Sequence, residues 1–146
     1  MRKKLLRLAA LLGALAVAIG AFGAHALKPH LSPESLDTFR TGVQYHFVHV
    51  LALLGCTALL YMGRKNSLWY AGMAFVAGII LFSGSLYWLS LEELVAVPAS
   101  ILGPITPIGG VCFILGWLLL FYSSYQQPTV RKKASRSTAR PKRETA

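Results

Sequence analysis

Acidic residues are scarce in this 146-residue chain, with five Asp and Glu against fifteen Lys and Arg. None of the five falls inside an apolar run, and no catalytic acid pair is visible. A phosphate loop, a nucleophile elbow and a metalloprotease helix are missing too, so the common signatures of phosphoryl transfer, acyl transfer and metal-assisted hydrolysis do not apply. Cysteine is limited to Cys56 and Cys112, both within apolar runs. Two such thiols exclude a disulfide framework and show no metal spacing, and they read as small apolar packing groups. Period-two alternation is missing, which argues against a β-barrel, and no internal repeat stands out.

What the chain has in quantity is apolar length. Hydrophobic residues make up 55% of it, with a mean hydropathy of +0.54. They gather in four runs free of Asp, Glu, Lys and Arg, at about 8–24, 45–62, 69–89 and 105–122. At about 1.5 Å per residue, each run matches a hydrocarbon core of about 30 Å. Four such runs cannot hide in one small soluble core, and helices satisfy their own backbone inside lipid. The expected fold is therefore an all-α integral membrane four-helix bundle over residues 1–122, followed by a polar segment at 123–146.

Charge sets the expected threading. Arg2, Lys3, Lys4 and Arg7 precede the first run, and Arg64 and Lys65 separate the second from the third. Arg131, Lys132, Lys133, Arg136, Arg140, Lys142 and Arg143 follow the fourth. The two other connections hold only Lys28 and Arg40 as basic residues, beside Glu34, Asp37, Glu92 and Glu93. By the positive-inside rule both termini are expected in the cytoplasm. The formal charge of +10 then needs no specific nucleic acid to explain it. The basic segment is expected to be disordered and to contact anionic phospholipids through its seven basic residues. Ala24-His25-Ala26 has the form of a signal-peptidase site, but the run before it exceeds an ordinary signal core, and a retained helix is expected.

Local signals refine the helices. Ser32-Pro33-Glu34 reads as an N-cap, a proline in the first turn and an acidic residue at the positive end of the dipole. Leu36, Phe39 and Val43 continue at helical spacing, so a turn or two is expected to lead directly into the second span. Pro98, Gly103, Pro104, Pro107 and Gly109-Gly110 loosen the entry to the fourth. Gly13, Ala16 and Gly20 on the first span, Ala74 and Gly78 on the third, and Gly84 beyond them are candidates for close helix packing.

Hints of chemistry lie near one end of the bundle. His25, His30, His46 and His49 all fall at the exterior ends of the first two spans. Tyr45, His46, His49 and Cys56 share an arc of about 100° on the second helix. Ser83, Ser85 and Tyr87 reach a similar depth on the third, and Thr106 joins them from the fourth. The candidate cluster is His25, Tyr45, His46, His49, Ser83, Ser85 and Thr106. Histidine at membrane depth marks metal sites, proton relays or cofactor ligands, yet His-x-x-His alone is a weak metal signal. Hydrogen bonding across helices is the simpler role, and no metal or cofactor is called for.

Several stretches resemble one family. Gly20-Ala21-Phe22-Gly23-Ala24-His25, Thr41-Gly42-Val43-Gln44-Tyr45-His46 with His49 following, Leu81-Phe82-Ser83-Gly84-Ser85-Leu86-Tyr87, and Gly103-Pro104-Ile105-Thr106-Pro107-Ile108-Gly109-Gly110 are similar to the YgdD/YwdK-like family. The resemblance covers about residues 5 to 122. It implies a four-span protein of the bacterial inner membrane with no catalytic residue assigned. The expected function is a structural or accessory component of a membrane-protein complex or homo-oligomer. The alternative is a binder or carrier of a metal, haem or small solute at the histidine-containing cluster.

Overall fold

The computed structural model describes residues 2–63, 66–92, 94 and 103–125. Four helices cover nearly all of these: α1, Arg2–Leu27; α2, Pro33–Met62; α3, Asn66–Ser90; and α4, Ile105–Ser123. Each is long and apolar enough to cross a membrane, and no strand occurs among the described residues. The expected all-helical membrane fold is the observed one. The segment from 126 onward, with the seven basic residues expected to contact lipid, lies outside the described residues.

The helices outrun the apolar runs for identifiable reasons. Charged Arg2–Arg7 continue the first run as helix, and the Arg2 guanidinium lies 5.7 Å from the centre of the Tyr61 ring. This contact joins the start of α1 to the far end of α2. Helix α2 starts at Pro33, where Ser32 caps it by accepting the Ser35 backbone N–H at 3.2 Å. Thr38 and Thr41 then turn their hydroxyls back onto the Glu34 and Asp37 carbonyls, so neither brings an unsatisfied group to the apolar part of the helix. Two π-helical turns, Gly23–Leu27 ending α1 and Ile79–Ser83 within α3, depart from regular helix and carry no proline.

Helices α2 and α3 form the centre, with α1 packed on α2 and α4 on α3. In their most apolar stretches 44% and 39% of α2 and α3 is buried, against 17% for α1 and for α4. The outer pair therefore meets the lipid. On α1, Gly13 faces Val50 and Gly20 faces Val43, an antiparallel register in which seven residues forward match seven back. Ala16, between them, is fully buried.

The α3–α4 contact is tighter. Phe75 fills the space above Gly116, and Phe113 fills the space above Gly78. The Phe82 backbone lies against Gly109, and Ser85 meets Thr106. A Cβ on Gly116 would stand 2.5 Å from the Phe75 ring, so each aromatic needs its glycine. Ala74 is half-buried, while Gly55 and Gly84 face open space. Toward the Arg2 end, hereafter the proximal end, Leu5, Leu53, Cys56, Leu68 and Phe75 form an apolar core without measurable exposure beyond 1%.

Candidate functional site

The other, distal end of the bundle concentrates polarity on the central helix. His46 and His49 of α2 are 3% and 4% exposed, yet they serve different neighbours. The His49 ring stacks on Phe113 with centroids 3.5 Å apart and planes 9° from parallel. Its Nδ1 is 2.8 Å from the Tyr45 carbonyl, and the Trp117 indole N–H donates to its Nε2 at 3.3 Å. An indole nitrogen only donates, so Nε2 must present its lone pair, and Nδ1–H donates to the carbonyl. The geometry thus selects one neutral tautomer and occupies both ring nitrogens.

His46 turns to the α1 and α3 side. Its Nδ1 lies 3.1 Å from the Tyr87 hydroxyl, and Tyr87 in turn covers Gly42 and sits against Phe39 at 5.1 Å. The Leu12 carbonyl of α1 neighbours the His46 ring, but buried Nε2 closes no hydrogen bond. Ser83 Oγ, within the π turn, is also buried without a partner. Ser85 Oγ donates to the Phe82 carbonyl at 2.8 Å, so at 2.7 Å the Thr106 hydroxyl donates to Ser85.

The sequence-derived cluster therefore divides. Tyr45 and His49 join Phe82, Phe113 and Trp117; His46 pairs with Tyr87; and Ser85 pairs with Thr106. His25 is exposed in the π turn that ends α1 and takes no part in these contacts. Among the described residues no three His, Cys, Asp or Glu side chains group as metal ligands. Phe113 and Trp117 were not anticipated as members. Their signal was the i, i+4 spacing behind Gly109, together with an indole N–H that needs a partner in a low-dielectric setting.

Beside His49 the α2–α4 seam stays open. A crevice of about 520 Å³ lies over Phe82, with Gln44, Tyr45 and Val48 on one wall and Gly110, Ile114 and Trp117 on the other. At the proximal end the same seam opens again as a crevice of about 390 Å³ between Leu59, Leu68 and Leu120.

Comparison with known proteins places this architecture. The family described as "Protein of unknown function (DUF423)" matches residues 19–110. The UPF0382 membrane protein YwdK of Bacillus subtilis is 46% identical over 107 residues, covering 73% of this chain and 83% of the relative. The chain belongs to this family. The UPF0382 inner membrane protein YgdD of Escherichia coli is 41% identical over 77% of this chain and 82% of its own length. A UPF0382 membrane protein of Haemophilus influenzae is 38% identical over 89% of this chain and its own full length. No solved structure matches. Family membership and four spanning helices identify a multi-pass inner-membrane protein of uncharacterised activity. Nothing in the family indicates an enzyme.

Proposed function

We propose that the protein is a structural or accessory component of the membrane, holding or assisting a larger membrane assembly, with both termini in the cytoplasm. The observation that supports this role is the use of the bundle's polar groups. His49, Ser85, Thr106 and Tyr87 each hydrogen-bond to another helix of the bundle, and the buried side-chain atoms left without a partner among the described residues, His46 Nε2 and Ser83 Oγ, lie on different helices. Such bonds hold helices together at about 0.6 kcal/mol each on average in membranes, up to about 1.7. What remains for partners is the lipid-facing surface of α1 and α4. The basic residues from Arg131 to Arg143 add attraction to anionic phospholipid of about 1 kcal/mol per residue near the surface. A metal or haem carrier is the weaker role, because the Nε2 lone pair of His49 is already held by Trp117.

The test is affinity purification of the full chain from its own membrane in mild detergent. A stoichiometric membrane-protein partner is expected, lost when α4 carries bulky substitutions at exposed Leu118 and Phe121. Repeated recovery of the bare protein, as monomer, would overturn the proposal.

A further inference from the structure

We propose that the distal α2–α4 crevice is a binding site for an uncharged, single-tailed lipid with a planar ring head, the class of prenylated quinones and phenols. Four observations point to this class, and they are independent of the accessory role. The crevice opens sideways to the bilayer, since Val48 and Ile114 on its lips are 46% and 60% exposed. Its about 520 Å³ falls within the 300–1,000 Å³ usual for small-molecule sites. A lipid ligand would therefore enter from the membrane, without crossing water.

The lining carries no Asp, Glu, Lys or Arg. A charged phospholipid head at this depth would lack a counter-charge, which is costly in a low-dielectric setting. A neutral head is not penalised in that way. The walls are aromatic, with Tyr45 and Phe82 rings 4.6 Å apart and Phe113 behind them, surfaces on which a flat ring stacks in offset or tilted fashion. At the distal rim Gln44 and Tyr45 are exposed, offering an amide and a hydroxyl that donate to ring carbonyl or hydroxyl oxygens. Below the ring the α2–α4 seam is apolar and reopens near Leu59 and Leu120, a path along which one tail can lie.

Gly110 separates this space from ordinary packing. A Cβ at neighbouring Gly109 would collide with the Phe82 backbone, whereas one at Gly110 would lie 3.8 Å from Phe82, an ordinary contact. The missing side chain at Gly110 is not required by the fold, and it keeps the crevice open. The back wall is rigid as well, since His49 is stacked on Phe113 and tied at both nitrogens, so a ligand meets a preorganised surface.

The experiment uses the full chain in nanodiscs with Trp69→Phe and Trp88→Phe, leaving Trp117 as the reporter, and decylubiquinone as the probe. Saturable quenching is expected. Gly110→Leu should weaken binding about tenfold or more, while Gly84→Leu, in open space on the face of α3 turned away from Phe82, should not. Gln44→Leu with Tyr45→Phe should weaken binding severalfold at unchanged thermal stability. If Gly110→Leu fails to fold, Ile114→Phe fills the same space from an exposed lip and leaves Trp117 the sole reporter. Quenching that never saturates, or that persists unchanged in the filled variants, overturns the site. Equal displacement of the probe by dodecanol, which has a tail and no ring, overturns the ligand class.

Discussion

Gly78→Ala isolates the energetics of the α3–α4 contact. A Cβ at Gly78 would enter the Phe113 ring, with Cε1 at 2.5 Å and Cγ at 3.0 Å. Phe113 has little room to yield, because it is 4% exposed and stacks on His49 from the other side. Overpacking of this kind costs about 1–3 kcal/mol. The same substitution also replaces glycine by the best helix former, a gain of about 1 kcal/mol. Gly55 supplies the matched control, since it lies in α2 and a Cβ there meets nothing within 4 Å. Gly55→Ala carries the propensity gain alone, so the difference between the two variants isolates the clash at about 1–3 kcal/mol. Reversible unfolding in mixed micelles, followed by far-UV circular dichroism, measures it. Phe113→Leu should partly relieve Gly78→Ala, making the double variant less damaged than the summed single losses. Equal stability of Gly78→Ala and Gly55→Ala would refute the packing account.

A double-mutant cycle of His49→Phe and Trp117→Phe should give a coupling of about 0.6 kcal/mol, and no more than about 1.7, if the indole–imidazole bond at 3.3 Å forms as described; zero coupling by the same unfolding assay would deny it. Ser32→Ala should cost about 0.5–2 kcal/mol of local stability, seen as faster hydrogen exchange at Ser35 and its neighbours, with the transmembrane core unaffected. In a background lacking Cys56 and Cys112, single cysteines at positions 28 and 92 should react with a membrane-impermeant thiol reagent in intact cells. Those at 65 and 136 should not, and labelling there would reverse the proposed orientation.

The spanning elements were legible because lipid imposes a blunt rule: an uncharged run of sufficient length spans. The start of α2 was legible for a finer reason, since Ser32, Pro33 and Glu34 each favour the same helix terminus. The distal cluster was only half legible. A helical wheel puts His46 and His49 on one arc, but α2 is central and has neighbours around it, so adjacent positions on that arc meet Tyr87 in one case and Trp117 in the other. Sequence periodicity carries no mark of the π turn at Ile79–Ser83, because one additional residue in a turn leaves the apolar content unchanged. That turn ends at Ser83, two residues before Ser85, and shifts the phase of everything after it. The exposure of His25 was hidden in the same way by the π turn that holds it.

The spacing of the glycine seats limits how α4 can move. Phe75, Phe113 and the Phe82 backbone each occupy a seat opposite Gly116, Gly78 and Gly109. Displacing α4 along its axis by one turn, about 5.4 Å, would bring Phe75 against Cys112 or Leu120 and would unseat all three together. Axial sliding is thus blocked by simultaneous collisions, with no intermediate stop. Tilting about the seated edge breaks none of them at once. If the α2–α4 mouth widens, it does so as a jaw hinged along α3, with Val48 and Ile114 parting while Phe113 stays seated.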